Sequence, residues 1–330
     1  MLRSLFAGIS GLRVNQTMLD VTGNNIANAN TTGFKSSTTV FQDTLSQMLT
    51  AGSVPTAQTG GTNPIQIGLG VQLASTSGNF TQGSAQTTGR ATDLMISGDG
   101  FFILGSGSDN ATGEQPNQVY TRAGSFSWDN SGNLVAPDGK FVMGNEADPT
   151  GYTYTTDPAT GAYTATATYA VSGTPTTNTL TSLHQIQTIT VATDADGNPV
   201  ATGDASATGS YTATLTSYEI GSDGVIRGTY DDGIKRDMGK LELATFTNTQ
   251  GLNKVGDTEF AQAANSGQAQ IGDAGSAGHG NLTAGALEMS NVDLAQEFTN
   301  LILAQRGFEA SSKVITTSDS ILEDLIQMKR

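Results

Sequence analysis

Cysteine is absent from this chain of 330 residues, and histidine occurs only twice. The lack of cysteine excludes disulfides, thiolate chemistry and cysteine-ligated metals, although it does not fix the compartment. Basic residues are also scarce, since 15 lysines and arginines stand against 30 acidic residues and the net charge is −15. No basic cluster is present to contact phosphates, so we expect no binding to nucleic acid.

Long apolar runs are missing as well. No stretch approaches the roughly 20 apolar residues of a membrane span, so we expect no membrane insertion. The N-terminal sequence MLRSLFAGISGLRVNQ lacks the apolar core of a secretory signal peptide. If the protein is exported, we therefore expect a route without a cleaved signal. Hydrophobic residues make up only 36% of the chain, which favours short strands and turns over a large core.

No combination of residues predicts a catalytic, cofactor or metal site. His184 and His279 lie among turn-forming residues and belong to no known catalytic motif. The glycine-rich segment 97–102, SGDGFF, lacks the lysine of a phosphate-binding loop. The segment 194–198, DADGN, is similar to the start of a calcium loop, but Ala205 stands where such a loop needs glutamate. A β-turn is the better interpretation, and we expect a protein that is not an enzyme and uses no cofactor.

Proline separates the middle of the chain from its ends. All eight prolines lie within 31–286, whereas 2–30 and 287–330 contain none and show helical spacing. The middle has repeated strand and turn signals. We predict a mostly β protein with terminal α-helices, in which nested β domains of barrel or sandwich type stand on a coiled-coil domain formed by the two ends.

The apolar residues of both ends follow heptad spacing. The predicted seam consists of Leu5, Ile9, Leu12, Leu19 and Ile26 in the first segment, and of Leu294, Phe298, Leu301, Phe308, Ile315, Leu322 and Ile326 in the second. Because this stripe is narrow, we predict that both ends polymerise with copies of the chain and are largely disordered in the free monomer. The alternative is that both helices simply pack on the β body. Ser290 is the predicted N-cap of the second helix, with Asp293 three positions later.

The β body shows internal divisions. Alternating apolar residues from Ile65 to Leu73 predict a half-buried strand, and turns at 129–132 and 137–139 predict hairpins. Residues 145–215 are rich in threonine, alanine and tyrosine and read as an inserted domain. We predict four domains: a helical polymerisation domain, 1–30 plus 287–330; a linker and extended β segment, 31–75; a β domain, 76–144 plus 216–286; and an inserted outer β domain, 145–215.

Four stretches of this sequence resemble the flagellar rod and hook protein family. They are GNNIANANTTGFKSS at 23–37, the segments 78–104 and 243–268 of the β body, and the C-terminal segment 290–326. The signature positions of the first stretch are Asn24, Asn25, Asn28, Gly33, Phe34 and Lys35. All four occur in the order that the family shows, and together they leave little besides 145–215 unmatched.

The resemblance implies a tubular polymer with the terminal helices inside and the β domains outside. It implies export of the unfolded chain through the flagellar channel, an extracellular location in the hook and basal body, and contacts with the export apparatus, the rod, the hook cap and the hook–filament junction. The TTGFKSS sequence and the inserted domain are more similar to those of hook proteins. Hook proteins form a flexible joint that passes torque from rod to filament. The short insert leaves a distal rod subunit as the alternative, and a secreted β-rich adhesin is the alternative outside the family.

Overall fold

The computed structural model describes residues 2–55, 60–105, 118–156, 163–169, 181–183, 185–200, 207–276 and 278–328. These residues form two compact units. The first, called the helical unit here, lies within 1–30, 35–80 and 291–330, and the second, called the β unit, lies within 31–34 and 81–290. The prediction of a mostly β protein with terminal helices is confirmed.

The two helices occupy the predicted ends of the chain. Helix α1 spans Leu2–Ala27 and helix α2 spans Leu294–Met328. Helix α2 has 35 residues and is therefore about 50 Å long. Neither described helix has the length and sustained apolar character that crossing a membrane requires.

The predicted N-cap of α2 is wrong by three residues. Asp293, not Ser290, caps this helix, because its Oδ1 accepts hydrogen bonds from the backbone N–H groups of Ala295 (2.9 Å) and Gln296 (3.2 Å). The physical reason is that the chain is still a β-strand at Glu288, so a helix starting directly after Ser290 would leave no room for the turn between them. A carboxylate at this position also interacts favourably with the helix dipole.

Four strands complete the helical unit. They are β1 (Ser37–Asp43), β2 (Ser46–Thr50), β3 (Ile65–Gly68) and β4 (Val71–Gly78). Strand β1 pairs with β4 and β2 pairs with β3, both antiparallel, so the segment forms two narrow ribbons.

The single half-buried strand predicted from Ile65 to Leu73 is wrong in two respects. The strand is broken at Gly70, whose φ is +121° and whose backbone approaches α1 so closely that a Cβ would lie 2.2 Å from Ser10 Oγ. Most of its alternating apolar side chains are also exposed, namely Ile65, Ile67, Val71 and Leu73, whereas Leu69 is half-buried. The alternation of apolar and polar residues predicted one buried face, but the described residues of the helical unit leave most of that face exposed.

The β unit contains the remaining strands. They are β5 (Ala85–Thr87), β6 (Leu94–Ser97), β7 (Phe101–Gly105), β8 (Val119–Thr121), β9 (Ser127–Trp128), β10 (Leu134–Val135), β11 (Phe141–Thr156), β12 (Tyr163–Tyr169), β13 (Thr181–Ser182), β14 (Thr188–Thr193), β15 (Pro199–Val200), β16 (Gly209–Ile220), β17 (Val225–Tyr230), β18 (Lys235–Thr245), β19 (Asn253–Gly256), β20 (Glu259–Ala261), β21 (Gln270–Asp273), β22 (Asn281–Ala284) and β23 (Ala286–Glu288). A short 3₁₀ helix spans Thr249–Gly251.

One large antiparallel sheet organises this unit, with the main strand order β15-β14-β16-β17-β18-β11-β7-β8-β20-β19. Its long strands serve two hydrophobic cores. Strand β11 contributes Val142 to the first core and Tyr152 to the second, and β16 contributes Ile220 to the first and Ala213 to the second. The predicted domain limits at 144/145 and 215/216 therefore fall inside continuous strands, β11 and β16.

The predicted turns form as expected from their chemistry. Asp129 Oδ1 accepts hydrogen bonds from the backbone N–H groups of Ser131 and Asn133, and Asp194 Oδ1 accepts the equivalent pair from Asp196 and Asn198. Gly132 and Gly197 take the left-handed conformation in these turns, with φ of +89° and +83°. The calcium-like segment 194–198 is thus a β-turn in which the aspartate binds its own backbone.

Candidate assembly surface

Helices α1 and α2 pack together through small residues. A Cβ at Gly11 would lie 2.9 Å from Ser311 Oγ, and one at Gly307 would lie 2.5 Å from Asn15 Oδ1. Ala304 is completely buried in this contact. Because small side chains permit such close approach, larger residues at these glycines would force the helices apart. Gly307 costs a helix interior about 1 kcal/mol relative to alanine, and the close contact gives the reason for its presence.

The predicted seam is divided between two environments. Leu5, Leu12, Leu19, Ile26, Leu301, Ile315 and Leu322 are half-buried. Ile9, Leu294, Phe298, Phe308 and Ile326 are exposed, with Phe298 at 51%. The seam residues therefore do not meet along one continuous line within the chain, and about half of them present apolar surface to solvent.

Further exposed apolar residues on the helices were not part of the predicted seam. They are Phe6, Ile302, Leu303, Val314, Ile321 and Met328. Leu303, Val314 and Ile321 are spaced by 11 and 7 residues and thus share one side of α2. The same spacing can be found in the sequence. The heptad pattern predicted only the longer stripe of apolar residues along α2.

The ribbons add a second exposed apolar region to the helical unit. Leu45, Met48, Leu49, Val54, Ile65 and Ile67 are exposed, Leu45 to 82%. Every residue of β2 and β3 is exposed, so each of these strands leaves both of its faces uncovered. We define the assembly surface as these ribbon residues together with the exposed apolar residues of α1 and α2. Such a concentration of apolar surface is rare on a chain that functions alone.

Signature residue Asn25 joins three elements of the helical unit. Its side-chain amide donates to the Ser37 carbonyl (2.8 Å) and to Glu297 Oε1 (3.0 Å), while its Oδ1 accepts from the Ser37 N–H (3.0 Å). Asn25 is almost fully buried. The end of α1, the start of β1 and the first turn of α2 are thereby connected through one amide, which no hydrophobic side chain could replace.

The other signature residues do not form one cluster and are divided between the two units. Asn28 donates from its side chain to the Asn24 carbonyl (2.9 Å) and closes the end of α1, where Asn24 is exposed. Lys35 is buried in the helical unit. In the β unit, the ring of Phe34 receives the Lys254 ammonium 5.0 Å from its centroid.

Gly33 occupies a position in the β unit that a larger residue could not take. Its φ is +70°, its N–H donates to the Glu288 carbonyl (2.8 Å), and a Cβ would lie 2.4 Å from the Ala123 nitrogen. The Glu288 side chain is buried beside it and forms an ion pair with Arg122, with Arg122 Nη1 3.4 Å from Oε2. Burial lowers the pKa of Arg122, and the facing carboxylate of Glu288 counteracts that effect. Segment 31–34 is thus held by a site where only glycine fits.

His279, the histidine that the structure describes, has a structural role. His279 Nε2 lies 3.2 Å from the Gln270 carbonyl and Nδ1 lies 3.3 Å from Ser276 Oγ, so the imidazole fastens a turn. His184 lies outside the residues that the structure describes. Within the described ranges, no three acidic or histidine side chains gather in a way that could hold a metal ion.

Comparison with known proteins places these features in one family. The chain matches the models of the flagella basal body rod protein over residues 5–35, the flagellar hook protein FlgE/F/G D1 domain over 95–228, and the flagellar basal body rod FlgEFG protein C-terminal region over 283–328. Flagellar hook protein FlgE of Borreliella burgdorferi is 35% identical over 449 aligned residues, with 100% of both chains covered. Flagellar basal-body rod protein FlgG of Bacillus subtilis is 39% identical over 331 aligned residues, again with 100% of both covered.

Two of the three matches cover the ends of the chain, whose helices carry part of the assembly surface, and one of these includes Asn25 and Gly33. Both relatives are matched over the full length of the chain at more than 30% identity, which shows the family. This chain therefore belongs to the family of flagellar hook and basal-body rod proteins, structural components of the bacterial flagellum.

Proposed function

We propose that this chain is the subunit of a flagellar hook and that copies of it polymerise into a flexible tube that passes torque from rod to filament. The observation that carries the proposal is the difference between the side chains at the contact of the two terminal helices and the side chains exposed to solvent. Small residues join α1 to α2, whereas large apolar residues such as Phe298 and Leu303 are exposed. Neighbouring copies would bury this surface, and the gain is about 25 cal/mol per Å² of apolar area.

The proposed assignment of segments follows the exposed surface. Residues 1–30 and 287–330 form the polymerisation domain, in which the exposed seam residues of one copy make coiled-coil contacts with other copies. Residues 31–75 link it to the rest and contribute the apolar ribbons. Residues 76–144 with 216–286, and the inserted segment 145–215, form nested barrel-like or sandwich-like layers on the outside. The proposed partners are further copies, the rod, the hook cap, the hook–filament junction and the export apparatus, with the assembled chain outside the cell.

The free monomer is expected to have loosely held ends. Five of the twelve predicted seam residues are exposed in the single chain, so the helices are expected to gain much of their order from neighbouring copies. Brief digestion of monomer with a non-specific protease should remove both ends and leave a stable core near 70–285, identified by mass spectrometry. Digestion of the polymer under the same conditions is the control and should leave the ends intact. Resistance of both ends in a verified monomer contradicts the proposal.

A rod subunit is the second candidate, and one observation favours it. The alignment with the rod relative spans 331 residues, close to the 330 of this chain, whereas the hook relative requires 449. The hook relative thus carries residues for which this chain has no counterpart. Electron microscopy of concentrated protein distinguishes the candidates, because a hook gives curved tubes and a rod gives straight ones. A sample without tubes under all conditions would contradict both proposals.

A further inference from the structure

Glu242 is an acidic residue in the interior of the β unit. It lies in β18 with 6% of its surface exposed, and its Oε2 has no hydrogen-bond partner among the described residues. A buried ionised carboxylate with an unsatisfied oxygen is costly, whereas the neutral acid is far less so. The surroundings of Glu242 therefore favour the protonated form.

Two charged side chains act on Glu242. Asp273 of β21 stands directly opposite it in the β18–β21 register, at a distance where like charges repel. Lys240 lies two residues earlier on the same face of β18, but its ammonium is 2.7 Å from Asp273 Oδ2 and is engaged there. On the other side of β18, register places Asn145 of β11 opposite Lys240 and Phe101 of β7 opposite Ala244. Glu146 of β11 lies opposite Gly239, which alternation places on the face of β18 away from Glu242.

Burial and the negative charge of Asp273 together raise the pKa of Glu242 to about 7, against the opposing influence of Lys240. His279 is a further titratable side chain beside β21. Its ring lies so near to β21 that a Cβ at Gly272 would be 2.7 Å from Cε1. Any effect of pH on β21 must therefore be divided between Glu242 and His279 by experiment.

We propose that Glu242 is a proton-binding group that couples the pairing of β21 with β18 to pH. While Glu242 is neutral, β21 remains firmly paired, because no charge stands opposite Asp273 in the closed sheet. When β21 detaches, Glu242 is hydrated and ionises as an ordinary carboxylic acid. The closed state thus binds one proton more than the open state over a defined pH range, and raising the pH through that range favours opening.

The pH range follows from the pKa of the Glu242 carboxyl group in the open state and its pKa in the closed state. Below its ordinary pKa of 4.5 Glu242 is protonated in both states, and above about 7 it is ionised in both. Between these limits each pH unit should increase the opening constant of β21 roughly tenfold. Outside them the opening constant should be independent of pH. The device stabilises the pairing of β21 in acid and weakens it towards neutrality.

Hydrogen–deuterium exchange of the 270–273 amides in monomeric full-length protein tests the proposal. Comparing wild type with Glu242→Gln at each pH cancels the intrinsic pH dependence of exchange. The ratio of wild-type to variant opening constants should rise roughly tenfold per unit from pH 5 to pH 7 and then become constant. A ratio that does not change with pH overturns the proposal, whatever the absolute stability of the variant.

Two further variants keep the test decisive if Glu242→Gln does not fold. Asp273→Asn removes the repulsion and frees Lys240, so the plateau of the wild-type profile should be reached at a lower pH. Glu219→Gln, at an exposed carboxylate paired with Lys235, is the control and should leave the profile unchanged. His279→Gln should also preserve the pH dependence, and its loss in that variant would assign the effect to the imidazole and overturn the role of Glu242.

Discussion

Phe298→Asp is expected to abolish assembly into tubes while the β unit stays folded. Phe298 is 51% exposed in the single chain, so the substitution removes little internal packing. In the proposed polymer the same position is covered by a neighbouring copy, and a carboxylate there would be desolvated without a partner. A penalty of about 3 kcal/mol per subunit would raise the critical concentration for assembly roughly 150-fold.

The neighbouring residue provides a matched control. Thr299 is exposed and its hydroxyl donates to the Ala295 carbonyl of its own helix. Thr299→Asp introduces the same charge in the same turn but replaces no apolar contact, so assembly should continue at nearly the wild-type concentration. Leu301→Asp is a third case, because Leu301 is half-buried and the variant should also loosen the pairing of α1 with α2.

Sedimentation with electron microscopy measures assembly, and circular dichroism verifies that the β unit is folded. Normal tubes from Phe298→Asp contradict the assignment of the exposed seam. Equal loss of assembly in Phe298→Asp and Thr299→Asp also contradicts it, since charge rather than lost apolar contact would then be the cause. The proposal requires the two variants to differ.

The positions of the two helices could be predicted from the sequence, whereas the residues at their contact could not. Helical spacing and the absence of proline predicted both elements and nearly their limits, because these signals are local. Pairing of the two ends in a coiled-coil domain was predicted, but the small residues at their contact were not, since heptad spacing assigns large apolar residues to the inside. Here glycine, alanine and serine occupy the inside, as at Gly11 and Ala304. Close backbone approach makes small residues suitable for a helix contact, and nothing in residue spacing distinguishes that use from a weak stretch of helix.

Buried charges were also beyond sequence reasoning. Glu242 alternates with Leu241 and Leu243 and reads as the polar face of a half-exposed strand, yet it is buried. Its burial depends on strands far away in the sequence, β7, β11 and β21. Periodicity reports which face of a strand differs from the other, whereas tertiary packing decides whether both faces are covered.

The buried ion pair of Arg236 and Asp232 is expected to contribute strongly to the stability of the β unit. Arg236 is fully buried, with its guanidinium making two hydrogen bonds to Asp232 (3.0 and 2.6 Å) and lying over the rings of Tyr154 and Tyr230. Tyr211 donates to Asp232 Oδ2 (2.8 Å). Burial and this hydrogen bond raise the pKa of Tyr211 to about 12, so the phenol remains a donor. Burial acts against the charge of Asp232, but the hydrogen bonds from Arg236 outweigh it and lower its pKa.

Asp232→Ala should therefore lower the free energy of unfolding of the β unit by about 3–5 kcal/mol, because it leaves Arg236 charged and unpaired in the second core. Asp223→Ala is a closely matched control. Asp223 also bonds a backbone N–H two residues later and pairs with an arginine four residues later, Arg227, but the side chains of that pair are 48% and 34% exposed. Its loss should cost only about 0–1 kcal/mol.

Urea unfolding followed by far-UV circular dichroism measures both variants. The combined change Asp232→Ala with Arg236→Met should recover much of the lost stability, since it replaces the stranded cation by an apolar side chain that the surrounding tyrosines can pack against. If Asp232→Ala and Asp223→Ala destabilise equally, burial does not set the strength of the pair. If the double variant is no more stable than Asp232→Ala, the penalty does not come from an unpaired charge, and Asp232 acts mainly through its bond to the Ile234 N–H (2.9 Å).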